Sequence, residues 1–142
     1  MAALFFIDVL KKQHSFVHGT SPRCHVKNGV RKPLFCSDKG DEKLFLEDQI
    51  VFLHSLKIVT KVFFRVTQVH GNHVYVLKDS SIPVSEVGLC EADAIITHIS
   101  DCPIVVLTAD CVPIIIYDPI KHVVGVVHAG RLGTQKRILT NT

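Results

Sequence analysis

Four short strings carry the residue types in this chain best able to do chemistry: Gln68-Val69-His70-Gly71, Ala92-Asp93-Ala94, Thr108-Ala109-Asp110-Cys111 and Val127-His128-Ala129-Gly130. Three of them put His or Cys at the end of an apolar run, beside Gly or another small residue. Such a position lets a rigid sheet present a side chain to a cleft while a ligand approaches the backbone closely. His70, Cys111 and His128 together make a borderline-soft donor set matched to zinc, at bond lengths of ~2.0–2.3 Å. Three protein ligands leave a fourth position open, where a metal can polarise water, phosphate or a substrate oxygen. No compact zinc-finger spacing links the three residues, so only the fold can assemble them.

The same residues admit other readings. Cys111 as nucleophile, His128 as base and Asp110 or Asp93 as orienter would make a metal-free hydrolase. Taken singly, a Cys or a His on an apolar strand is most often an ordinary packed or hydrogen-bonded interior residue. Asp93 and Asp110 can each orient a ligand or cap a turn, and the orienting role is assigned to Asp110, beside Cys111. Gly130-Arg131-Leu132-Gly133-Thr134 lies between an expected strand and an expected helix, where free N–H groups favour an anion. Gly130, Arg131 and Gly133 are therefore candidate phosphate contacts, against the plainer reading of a glycine turn with Thr134 as cap. His73 is not expected to join the set, because positions i and i+3 of a strand point to opposite faces. His14, His18, His25, His54, His98 and His122, and Cys24, Cys36, Cys90 and Cys102, receive no role.

The elements that must position these residues are legible from pattern. Asp41 to Leu56 reads as a helix, with acidic residues opening it and apolar residues at Phe45, Ile50, Phe52, Leu53 and Leu56. It is the one clear helix before the C-terminus. Val62–Val69, His73–Leu77, Ala94–Ile99, Ile104–Leu107, Pro113–Tyr117 and Val123–Val127 read as short strands, and Ala2–Leu10 as another. Ile104–Leu107 and Ile114–Ile116 are apolar at every position, which predicts strands covered on both faces. Asp118-Pro119 predicts a hairpin between the last two strands, and a second helix is expected from Leu132–Thr134 past Ile138. His14 to Gly40, rich in Gly, Pro, Ser, Asn and Lys, reads as turns with short strands.

Composition bounds the function. The 142 residues, 47% hydrophobic and 20% charged, predict a single domain, 1–142, of α/β class rather than a disordered chain. Sixteen basic residues against thirteen acidic ones are scattered, so no nucleic-acid stripe is expected. The longest apolar stretch, Pro103 to Tyr117, is interrupted by Asp110 and falls short of the ~20 residues that span a bilayer. The N-terminal run lacks the features of a signal peptide. Five cysteines without a Cys-x-x-Cys pair argue for a reducing, cytoplasmic setting. Nine histidines are a high load of groups able to shuttle protons or bind metals. Oligomeric state is left open.

The order and wording of the strings resemble one family, the YfiH-like polyphenol oxidoreductase laccase domain family, regarded as purine nucleoside phosphorylases. The resemblance runs through Gln68–Gly71, then Ala92–Ala94 with Thr97, then Ala109–Pro113 with Asp118-Pro119, then His128–Gly130. Weaker landmarks are His18-Gly19 with Ser21 and Arg23, and Gly40-Asp41 before a helix. It implies layered mixed β-sheets flanked by helices, in a chain carrying the N-terminal part of the family domain and truncated at the C-terminus. It further implies zinc on His70, Cys111 and His128, with copper less suited because three ligands cannot build a multi-copper cluster. The implied activity is zinc-dependent phosphorolysis of adenosine, inosine or methylthioadenosine to free base and ribose 1-phosphate, with adenosine deamination as a side activity. Purine nucleoside and phosphate are the implied partners. The alternatives are the cysteine hydrolase and a non-catalytic metal-binding relative. Two departures stand out: Arg131-Leu132 replaces the family's Trp-Arg after His-Ala-Gly, and Asp48-Gln49 replaces its Asn-Arg, so which of Arg131 and Gln49 meets phosphate is open.

Overall fold

The computed structural model describes residues 16–21, 24–27, 30–33, 42–59 and 63–142. The N-terminal run read as a strand, Ala2–Leu10, lies outside them. Two compact units divide the chain, Met1–Val62 and Phe63–Thr142.

In the first unit, β1 (Cys24–Lys27) and β2 (Val30–Pro33) pair antiparallel, with Lys27 opposite Val30. Helix α1 spans Glu42–Ser55, inside the bounds the sequence predicts. It ends in a Schellman arrangement: Ile58 N–H donates to the Leu53 carbonyl, Lys57 N–H donates to the His54 carbonyl, and Lys57 takes the left-handed conformation, φ 61°. Leu53 is its buried apolar anchor.

The second unit is built on a four-stranded mixed sheet in the order β3-β4-β6-β5, with β3 Val74–Leu77, β4 Ala94–Thr97, β5 Val112–Asp118 and β6 Val123–Ala129. Strands β3 and β4 run parallel, and the remaining neighbours are antiparallel. Helix α2, Val84–Leu89, lies in the crossover between β3 and β4. The expected hairpin is present: the Asp118 carboxylate accepts from Ile120 N–H (2.9 Å) and Lys121 N–H (3.0 Å), closing the turn between β5 and β6.

Strand β4 divides the core, because its successive side chains face opposite ways. Ile95 joins Phe64, Val66, Leu77, Val87 and Ala92 in one buried cluster, while Ala94 joins Val127 and Ile138 in another. A one-residue slip against β6 would exchange the Ala94 and Ile95 faces, setting the small side chain where the large one packs.

Three expectations need correcting. Of Val62–Val69, the described residues 63–69 form no ladder strand, and neither does Ile104–Leu107. Phe64 bridges Ile104 while Thr67 bridges Glu91, so the 63–69 segment changes partner within three residues and no continuous ladder forms. Ile114–Ile116 is not covered on both faces either. It sits on β5, at the edge of this sheet, and is half-buried. The expected C-terminal helix is two short ones, α3 (Arg131–Gln135) and α4 (Ile138–Asn141), broken at Arg137 in the left-handed region, φ 60°. The break brings Ile138, 1% exposed, onto Ala94 and Val127. Helix α2 is an addition to the sequence reading. No helix among the described residues is long and apolar enough to cross a membrane.

Candidate metal centre

Strand register assembles the site. Val112 pairs with Ala129 across the β5–β6 hairpin, so Cys111, one residue before β5, falls beside Gly130, one residue past β6. Ala94 pairs with Val127 across β4–β6, so Asp93 falls beside His128, and the Asp93 carbonyl accepts the His128 N–H at 2.7 Å. His70 arrives on a turn after the extended 63–69 segment, in the left-handed conformation, φ 58°. As a result one donor atom from each of His70, Cys111 and His128 lies within 4.8 Å of the other two. The histidine rings meet edge to face, 4.7 Å between centroids and 84° between planes.

His128 is buried, Cys111 half-buried and His70 exposed, so the cluster sits at the rim of the core with a side open to solvent. Its floor is Gly130. A Cβ on that residue would stand 3.0 Å from His70 Cδ2, 3.1 Å from Cys111 Sγ and 3.7 Å from His128 Cε1. The missing side chain leaves the three donors room to converge. Two imidazoles and a thiol around such a cradle fit a metal ion held by three protein ligands.

The carboxylate at the centre belongs to Asp93. Its Oδ1 accepts from His128 Nδ1 at 2.7 Å and from His70 N–H at 2.9 Å, and its Oδ2 accepts from Gly71 N–H at 2.6 Å and Val69 N–H at 3.3 Å. Burial pushes this carboxyl up, but the bonds from His128 and from the Gly71, His70 and Val69 amides outweigh it and hold the group below the ordinary Asp value. An ionised carboxylate only accepts, so His128 carries its proton on Nδ1 and presents Nε2 to the cluster. Asp110, assigned the orienting role from sequence, is exposed. Asp93, not Asp110, is the carboxylate that contacts a candidate ligand. Its signal was the small residues on both sides, which bury it with the strand.

The neighbouring candidates are placed as follows. Gly130 is the N-cap of α3, and Arg131 is exposed at its first position. Thr134 is exposed within α3 and caps nothing with its side chain. Gly133 is buried, and a Cβ there would lie 2.6 Å from the Gly71 carbonyl oxygen. Asn72 Nδ2 donates to the Lys136 carbonyl at 2.9 Å and Asn141 Nδ2 donates to the Asn72 carbonyl at 3.1 Å. Helices α3 and α4 thus grip the turn that carries His70, a support invisible in the motifs. His73 is exposed, with Nδ1 2.8 Å from the Glu91 carbonyl, outside the cluster. Gln49 lies in α1, and its side chain is not among those described.

Residues 36–142 match the family model described as multi-copper polyphenol oxidoreductase laccase. The chain belongs to this laccase-domain family. Among curated proteins it resembles family relatives named purine nucleoside phosphorylase. One from Deinococcus radiodurans is 31% identical over 114 residues, 80% of this chain and 42% of that protein. One from Aquifex aeolicus is 36% identical over 108 residues, 73% of this chain and 48% of that protein. The laccase-domain chain therefore spans less than half the length of these relatives. Its fold is similar to the crystal structure of the Bacillus licheniformis hypothetical protein YfiH, with a TM-score of 0.64 at 23% identity, over 72% of this chain and 40% of that one. The mixed sheet with flanking helices is thus the arrangement of a YfiH-like fold.

Proposed function

We propose that the chain carries the metal centre of a zinc-dependent purine nucleoside phosphorylase, which cleaves adenosine, inosine or methylthioadenosine with phosphate to the base and ribose 1-phosphate. The observation that carries this reading is the convergence of His70, Cys111 and His128 donors within 4.8 Å around the Gly130 cradle, in a chain whose relatives bear that name. Zinc held there would supply positive charge and Lewis acidity toward an oxygen of phosphate or water. His70 Nδ1 or Nε2, Cys111 Sγ and His128 Nε2 are the proposed ligands. Copper suits the set less well, because three donors cannot build a multi-copper cluster.

The chain's own residues divide the remaining work. Asp93 engages His128 Nδ1, which leaves Nε2 as the ring nitrogen offered toward the other donors. Gly130 keeps the centre clear of side-chain bulk. Arg131, exposed at the residue after that cradle, and the Gly130–Gly133 backbone are the proposed contacts for the phosphate anion. Gly133 also has a packing reason of its own against Gly71. Adenosine deamination is a proposed side activity using the same open centre. A cytoplasmic setting belongs to the same proposal, on the odd cysteine count without a Cys-x-x-Cys pair.

Incubating the protein with adenosine and phosphate tests the reading. Adenine should be released, and release should fall to background with a zinc chelator, without phosphate, and in His70→Ala. Chelator-resistant release would sink the metal's part, and no release from any of the three nucleosides would leave a metal-binding relative without this activity.

One observation favours a second reading. The 2.7 Å contact between Asp93 and His128 beside Cys111 is also the orienter–base–nucleophile order of a cysteine hydrolase. Alkylation separates the two. A free dyad thiolate reacts quickly at neutral pH, whereas a metal-held thiolate reacts mainly after chelation.

A further inference from the structure

Asp93 has no exposed surface and spends every one of its hydrogen-bonding groups on the two chain segments that carry histidines. Toward His128 it accepts the ring Nδ1–H on Oδ1 and the backbone N–H on its carbonyl, at 2.7 Å each. Toward the other segment, its carboxylate accepts three consecutive amides, Val69, His70 and Gly71, and its own N–H donates to the His73 carbonyl at 3.0 Å. Those three amides converge because His70 occupies the left-handed region, which a non-glycine residue takes up only when its surroundings over-determine it. One buried anion therefore fixes a ring orientation on one ligand and a backbone conformation on another. Cys111 is placed separately, by the hairpin register.

We propose that Asp93 is the positioning residue for both histidines of the centre, setting the tautomer of His128 and the turn conformation of His70. The proposal rests on the metal reading of the cluster. It makes affinity for the ion depend on a side chain that never touches it. Neutralising the carboxylate must break one arm: an Asn carboxamide has a single acceptor oxygen, and its NH2 group would face either the His128 Nδ1–H or the amides, donor against donor.

The test compares the full chain with Asp93→Asn, reading zinc affinity by competition with a chromophoric chelator and the unloaded proteins by nitrogen-15 NMR. Asp93→Asn should bind zinc about 10–100-fold more weakly, the usual size of a loss behind a ligand. The unloaded parent should show His128 protonated on Nδ1, with the His70 and Gly71 amides protected from exchange. The variant should shift the His128 tautomer or expose those amides, according to which way its carboxamide turns, while neighbouring strands keep their protection. A purely structural role would move neither. Equal zinc affinity in the two proteins overturns the proposal and leaves the metal reading standing, whereas a parent that binds no zinc overturns the metal reading itself. Should Asp93→Asn not fold, the parent alone decides. His128 protonated on Nε2, or freely exchanging His70 and Gly71 amides, contradicts the proposal.

Discussion

Gly130 is where a single atom has the largest consequence. An alanine methyl there must displace His70 Cδ2 or Cys111 Sγ by a few tenths of an ångström, and both are side chains at a rim that can move. The fold should survive while the donors spread. We expect Gly130→Ala to keep the parent's thermal midpoint within a few degrees and to lose zinc affinity by about tenfold or more, comparable to disturbing ligand orientation. Isothermal titration alongside a thermal melt checks this, and undiminished affinity would show that the cradle is not needed. At this scale the sequence named the three donors because each sits in a motif with a small neighbour. It could not separate Asp93 from Asp110. Both flank a ligand or a strand in sequence, and only the β4–β6 register decides that Asp93 is buried against His128 while Asp110 points to solvent.

At the scale of elements, the contact between Gly133 and Gly71 joins α3 to the turn bearing His70. The obstacle to a side chain is backbone, a carbonyl oxygen 2.6 Å from the would-be Cβ, so no rotamer change relieves it. Gly133→Ala should destabilise the protein by roughly 1–3 kcal/mol, the usual range for overpacking, measured by urea denaturation. It should also weaken zinc binding by moving His70. Full stability with normal binding would remove the clamp from the account. The elements that were legible had local signals: acidic residues opening α1, Asp118-Pro119 closing the hairpin, and apolar runs for β3, β4, β5 and β6. Those that were not had none. Helix α2 is six residues, too short for a helical period to register. The 63–69 and 104–107 segments have strand composition, but their hydrogen bonds are divided among Pro103, Cys90 and the Gln68 side chain, which ties to Leu107 N–H and carbonyl at 2.8 Å each. The break in the C-terminal helix follows from a tertiary demand, the seating of Ile138 on the sheet.

At the scale of the molecule, all three donors, the cradle and the buried carboxylate belong to the unit Phe63–Thr142, so the centre depends on that unit's own sheet and its two C-terminal helices. The family could be read from motif order across Gln68–Gly130, which falls wholly within the 36–142 match. Donor geometry could not, since it needs the sheet order β3-β4-β6-β5. The most direct test of the claim that these three residues hold one ion is a cobalt(II) titration of the metal-free protein, followed by absorption, in the parent and in Cys111→Ser. The account predicts saturation at one cobalt per chain with a thiolate-to-metal charge-transfer band, lost in Cys111→Ser and displaced by one equivalent of zinc. A parent spectrum without that band, or one that Cys111→Ser leaves unchanged, would contradict it.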